Sequence, residues 1–339
     1  MKKNLFTLLI LTTVLLIAAC GNDNSDSEGN TDSGEKSTEW PHNNTTFILP
    51  FGAGGSLDTW MRNLSPYLEE ELDTRISIDN REGAATQTGT TVFHEGPNDG
   101  SYLFAGTQLY FSATMVLQGA DYNIDDFAMV NIEQFDPITI TVPKDSKYET
   151  FGDLIEDIKV NPGKISYSTV SGGPLHLTGV LLEDKLDIEL NPVFYDGGSE
   201  MRNALLGDHV DFMIGNSNGD TAIEENVRVL ATATDEVSEI WPDAEPINDA
   251  LEKYDVEIPQ VGSVRFIATQ ASFKEENPEL FEELVTSYKN AYNAEDYQAH
   301  LKESGADLVS DFRGPEESDK LNQELHDLIV EYKDELTNN

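Results

Sequence analysis

Apolar positions along the chain gather into short runs that alternate with stretches of helical spacing. The run Thr45–Leu49 enters a turn containing Gly52, Gly54 and Gly55. Beyond it Leu57, Trp60, Met61, Leu64, Leu68 and Leu72 recur every three or four residues, as on one face of a helix. A strand, a loop and a helix are thus predicted over 45–72. Pro66 falls inside that helix, where its ring removes a hydrogen bond and predicts a kink costing about 3 kcal/mol. Further strands are predicted at Ile76–Asn80, Tyr102–Gly106, Phe127–Gln134, Ile138–Pro143, Ile165–Val170, Val193–Tyr195, Val210–Ile214, Val227–Ala233 and Val264–Thr269. Helices are predicted at Thr86–His94, Gln108–Leu117, Phe151–Val160, Leu175–Leu186, Ser199–Leu206 and Thr221–Glu225, then Pro278–Asn293 and Glu316–Glu335. Such alternation is the mark of an α/β fold with mainly parallel sheets. Ile138–Val142 and Val264–Thr269 are placed as strands crossing between two lobes, one lobe drawing on both ends of the chain.

The N-terminal pattern differs. Lys2 and Lys3 precede an uncharged apolar run, Leu5–Ile17, that stops at Ala18-Ala19-Cys20, the layout of a secretory signal. The run is short for a membrane span. Ile17-Ala18-Ala19-Cys20 resembles a bacterial lipobox, which predicts a signal peptide over 1–19 and a lipid on Cys20; a cleaved signal with an unlipidated cysteine is the plainer alternative. Residues 20–40 then form a tether, because Gly21–Glu39 is rich in Asn, Asp, Ser, Gly and Glu and carries almost nothing apolar to bury. A globular body is expected from near Trp40. Cys20 is the one cysteine in 339 residues, which excludes an internal disulfide and a thiolate metal site.

Charge narrows the class further. The chain has 63 acidic and 21 basic residues, a net −42 at pH 7. Such a surface argues against nucleic acid and anionic membranes, and favours solubility in salt, where self-repulsion is screened. An anionic ligand would meet a repelling field. Its site must therefore win locally, through oriented N–H groups in a cleft.

The 52–55 turn has that chemistry. Glycines allow positive φ and remove Cβ atoms, so N–H groups of the turn and of the first helical turn can face an anion. Gly52-x-Gly54 with Asp79 downstream has the outline of a dinucleotide fingerprint, but Leu57 stands at the third glycine position. A purely structural reading has the glycines making a tight turn and Asp58 stabilising the helix terminus by roughly 0.3–1 kcal/mol. Gly215-Asn216-Ser217-Asn218-Gly219 is a G-x-S-x-G string between a predicted strand and helix, the setting of a hydrolase nucleophile. Its triad would need a downstream histidine, and only His300 and His326 qualify. The six histidines lack metal-ligand spacing. Acidic runs such as Glu69-Glu70-Glu71 lack a calcium-loop glycine. No metal or cofactor is expected.

Several motifs, in order, carry a family resemblance. Phe47–Asp58, Asn80-Arg81-Glu82-Gly83-Ala84, Pro97-Asn98-Asp99-Gly100-Ser101-Tyr102, Asn161-Pro162-Gly163-Lys164, His176-Leu177-Thr178-Gly179, Tyr195-Asp196-Gly197-Gly198 and Leu205-Leu206-Gly207-Asp208-His209-Val210-Asp211 span about residues 45–235. Together they resemble the substrate-binding receptors of tripartite tricarboxylate transporters, the Bug family. The resemblance implies a two-lobed periplasmic-binding-protein fold, type II-like, with crossing hinge strands. Lobe 1 would comprise 41–140 plus 263–339, and lobe 2 would comprise 141–262. It implies a ligand carboxylate held by backbone amides of Phe51, Gly52, Ala53, Gly54, Gly55 and Ser56, with Thr107 and Gln108 from the third strand's end. From the second lobe it implies Ser171, Gly172, Gly173, His176, Tyr195, Gly197, Gly198 and Asn216. The chain departs from the family pattern in a loop, 169–174, shorter by about one residue and carrying Pro174 at the helix start, where proline is tolerated. Asp196 stands where the family has a base, and Val264-Arg265-Phe266 replaces an aromatic-rich stretch. The implied function is not enzymatic: a monomeric, lipid-anchored extracytoplasmic receptor delivers a di- or tricarboxylate or other organic acid to the membrane subunits of a secondary transporter. A receptor serving a sensor kinase, and a secreted serine hydrolase using Ser217, are the alternatives.

Overall fold

The computed structural model describes residues 40–338, so the signal segment, Cys20 and most of the tether lie outside the described residues. Alternating elements open the body: β1 (Asn44–Leu49), α1 (Ser56–Leu72), β2 (Arg75–Asn80), α2 (Gln87–His94), β3 (Tyr102–Thr107) and α3 (Gln108–Gln118). A long strand, β4 (Phe127–Pro143), leads to α4 (Phe151–Val160), β5 (Ser166–Thr169), α5 (Pro174–Leu186), β6 (Asn191–Phe194), α6 (Gly198–Leu206), β7 (Phe212–Asn216), the single turn α7 (Ser217–Asp220) and β8 (Val227–Thr232). The remainder is β9 (Glu245–Pro246), α8 (Ile247–Leu251), β10 (Gly262–Gln270), α9 (Ala271–Glu276), α10 (Pro278–Asn293), α11 (Glu295–Ser304), β11 (Ser310–Arg313), α12 (Pro315–Glu331) and α13 (Lys333–Asn338).

The strands form one curled sheet in the order β2-β1-β3-β10-β4-β7-β5-β6, with β8 and β11 also pairing with β4 and β9 with β8. Outer strands joined by helical crossovers run parallel, β2-β1-β3 on one side and β6-β5-β7 on the other. Antiparallel pairing surrounds β4 and β10 in the middle. Residues 127–137 of β4 pair with β10 and residues 138–143 with β7 and β8. One strand thus joins both halves of the sheet. The sequence pattern divides it in two because Pro137 interrupts the apolar run, yet Pro137 pairs opposite Gly262 and the strand continues. Val264–Thr269, expected to cross, lies in β10, which pairs with β3 and with residues 127–137 of β4.

Period-two alternation packs both faces of the first half. Phe47, Leu49, Leu103, Ala105 and Ile267 point to one core with α1, α10 and α11, whereas Ile48, Phe104 and Phe266 point to the other with α3 and α12. The register of β4 against β10 skips Val130 and Glu133. This bulge turns Glu133 toward the first core, where Trp60 Nε1, Tyr297 Oη and Tyr288 Oη donate to its carboxylate. Helix α1 runs through Pro66 without interruption, with the proline exposed. Trp40 is buried, its ring edge against Phe273.

Candidate ligand-binding site

Two strand-to-helix loops face the sheet's carboxyl ends, where open α/β sheets bind ligands. In the β1–α1 loop Gly54 adopts φ +80°, a conformation that suits glycine. Its N–H donates to Asp58 Oδ2 at 2.8 Å, and Gly55 N–H donates to Gly52 O at 3.3 Å. The N–H groups of Gly54 and Gly55, two of the six in this loop expected to meet an anion, are therefore engaged within the loop. Asp58, 2% exposed, also accepts Arg62 Nε at 2.9 Å and pairs with its Nη2 at 2.8 Å. The Arg62 hydrogen bond and that of Gly54 N–H hold the Asp58 carboxyl below its ordinary range, against burial. The first-turn N–H groups of Ser56 and Leu57 have no intrahelical acceptor. Asn80 Nδ2 donates to Phe51 O at 3.0 Å and Arg81 N to Leu49 O at 2.7 Å, fixing the loop from β2. A Cβ at Gly52 would lie 2.5 Å from Glu82 Oε2. An acid therefore borders the loop.

Thr107 caps β3, but Gln108 turns inward. Its Nε2 donates to Ser112 Oγ and Asn322 O, both at 2.9 Å, so the side chain expected to face ligand instead ties α3 to α12. Tyr110, on the next turn, was not legible as a site residue. Its ring stands edge-on to Phe51 with centroids 6.1 Å apart, and a Cβ at Gly173 would come within 2.2 Å of it. Tyr110 thus touches both Gly-rich loops. Burial raises its phenol well above the ordinary value.

In the β5–α5 loop Ser171 is exposed, Gly172 has φ +73°, and Pro174 occupies the first turn of α5. Gly172 N–H donates to His176 Nδ1 at 3.3 Å. The neutral ring then carries its proton on Nε2, an atom that is buried and without a partner. Burial pushes the His176 pKa down to about 4. Phe194 meets the ring edge-on at 5.0 Å. Tyr195 N–H donates to Thr169 O at 2.9 Å, which sets Gly197 and Gly198 at the start of α6. Asn216 ends β7 with its Nδ2 donating to Asp136 O at 3.3 Å. Its side chain anchors β7 to β4.

Ser217 follows in α7, 1% exposed, its Oγ without a hydrogen bond and its carbonyl accepting Trp241 Nε1 at 2.9 Å. His326 Nδ1 contacts Ser112 Oγ at 3.1 Å, and His300 lies on α11. Neither histidine hydrogen-bonds Ser217, whose Oγ has no partner, as a nucleophile at that position would need. Among the described residues no cluster of three or more His, Cys, Asp or Glu could hold a metal, and no helix is long and apolar enough to cross a membrane.

Two α/β halves joined through β4, with glycine-rich loops opposed across Tyr110, define a two-lobed periplasmic-binding-protein fold. The profile of the family described as Tripartite tricarboxylate transporter family receptor matches residues 61–327, and the chain belongs to that family. A UPF0065 protein of Pseudomonas sp. strain P51 is 27% identical over 194 residues, 57% of this chain and 56% of that protein. The chain therefore spans a little over half the length of that relative. A TctC solute-binding protein from Polaromonas shares the fold at TM-score 0.73 and 18% identity, covering 87% of this chain and 99% of that one. MatC from Rhodopseudomonas palustris, solved with bound malate, shares it at TM-score 0.69 and 21% identity, covering 86% and 99%.

Proposed function

We propose that the protein is an extracytoplasmic receptor that captures a small carboxylate between its lobes and hands it to the membrane subunits of a tripartite tricarboxylate transporter. The observation that carries this reading is the opposition of the β1–α1 and β5–α5 loops, each opening a helix N-terminus, across Tyr110. Helix N-termini favour anions through orphan N–H groups and the macrodipole. The malate bound by MatC supports a carboxylate ligand. Lobe 1 comprises residues 41–140 with 263–339, and lobe 2 comprises 141–262. The chain works as a monomer held to the membrane by a lipid on Cys20, and the site performs no chemistry.

A thermal-shift screen of the body from Trp40 onward against organic acids in high salt tests the reading. A fluorophosphonate probe is run on the same sample. The melting temperature should rise with the concentration of at least one carboxylate, following RT ln(1 + [L]/Kd), without labelling of the protein. Labelling abolished by Ser217→Ala, with no carboxylate shift, would replace the receptor by a hydrolase.

A further inference from the structure

Arg202 is the feature that the loops, as described above, leave unexplained. It sits on α6, four residues past Gly198, with its side chain 22% exposed. Its guanidinium lies at the carboxyl ends of β6 and β7. Nη1 stands 3.1 Å from the position a Cβ would take at Gly198 and 3.5 Å from that position at Gly219. A guanidinium has five N–H donors, yet among the described residues Arg202 makes no hydrogen bond and has one ionic partner, Asp220 Oδ1 at 3.7 Å. Arg62 and Arg81 differ, for both hydrogen-bond to their own carboxylates, Asp58 and Asp79, at 2.9 Å.

Asp220 is fixed from behind. Its Oδ2 accepts Thr139 Oγ1 at 2.7 Å and Thr141 Oγ1 at 3.3 Å, and it lies 2.0 Å from where a Cβ would stand on Gly215. It is 1% exposed, and burial pushes its carboxyl up to about 7, with the Arg202 charge opposing. Asp220 therefore positions the guanidinium without filling its donor fork. Beside it, Ser217 Oγ is a second buried polar atom without a partner.

A cation with an open fork beside Gly198 and Gly219, where β6 and β7 pass into helices, on a chain of net −42, offsets locally a field that repels dianions more than monoanions. Planar guanidinium matches carboxylate geometry through two parallel hydrogen bonds. We propose that Arg202 is a specificity-determining residue: it binds the ligand's second, distal anionic group, so that the receptor selects diacids over monoacids of equal length. The proposal rests on the receptor reading above and adds the residue that sets its charge requirement.

The test is calorimetric titration of the wild type and Arg202→Gln with succinate, glutarate and adipate, each against its monoacid: butyrate, pentanoate and hexanoate. The wild type should prefer at least one diacid by about tenfold or more, the scale of a charge-assisted hydrogen bond. Arg202→Gln should erase that preference while leaving monoacid affinity within about twofold. Removing the arginine leaves Asp220 buried without its counter-ion. Arg202→Gln with Asp220→Asn therefore repeats the measurement should the single variant not fold. A diacid preference that survives both variants, an equal loss for diacid and monoacid, or a wild type that binds the two alike would overturn the assignment. A wild type that binds none of the six acids would overturn the carboxylate-receptor reading itself, and this assignment with it.

Discussion

At His176 one hydrogen bond decides which ring nitrogen carries the proton. Gly172 N–H occupies Nδ1, so Nε2 presents its hydrogen to a buried space without an acceptor. The ring resists protonation down to about pH 4, whereas an unfolded histidine charges near pH 6.5. Between these values the unfolded chain takes up a proton that the native ring refuses, so stability falls as pH drops. His176→Asn keeps an acceptor for Gly172 and removes the titration. Denaturant unfolding should show the wild type losing about 2–3 kcal/mol relative to this variant between pH 7 and pH 4. A wild-type-to-variant difference that stays constant with pH would contradict the assigned tautomer and burial. The sequence shows His176 beside the glycines of the loop, but its tautomer depends on a contact four residues back that only the folded loop creates. The place of Tyr110 was illegible for a related reason: it lies against a glycine distant in sequence, Gly173, that leaves room for its ring.

At the scale of elements, periodicity is a good guide where one face is buried. Helix α1 and strands β1 and β3 lie within a residue or so of expectation because α1 turns one apolar face to a single core and the strands alternate cleanly between the two cores. Helix α11 was missed, since its ten residues bury only Tyr297 and Leu301, too few to mark a period. Helix α4 begins with a capping box. Asp153 N–H donates to Thr150 Oγ1 at 3.1 Å, and Thr150 N–H donates to Asp153 Oδ2 at 2.9 Å. The Thr150 N–H, with the Thr150 hydroxyl and Glu149 N–H, holds the Asp153 carboxyl below its ordinary range, against burial. Thr150→Ala should cost about 1 kcal/mol in urea unfolding, with Thr150→Ser restoring most of it. Loss too small to measure would show that α4 is held by packing alone through Phe151, Leu154, Ile155 and Ile158, which are buried.

The whole molecule is strongly acidic, which composition shows, and glycine placement marks where its strands pass into helices. Composition could not show that Gly54 and Gly55 keep their N–H groups for the loop itself. Nor could it show that the two loops meet across a tyrosine. Their opposition is the central claim, because a ligand held by both lobes must feel a charge placed on either. Ser56 and Ser171 are exposed and open the two loops to solvent, so glutamate at either position is compatible with folding. The decisive measurement is the calorimetric affinity of a carboxylate that binds the wild type, repeated in Ser56→Glu and in Ser171→Glu at one fixed salt concentration. Each substitution by itself is predicted to weaken binding by about tenfold or more, through like-charge repulsion at a helix N-terminus. Affinity unchanged by either one would contradict capture of the ligand between the two loops.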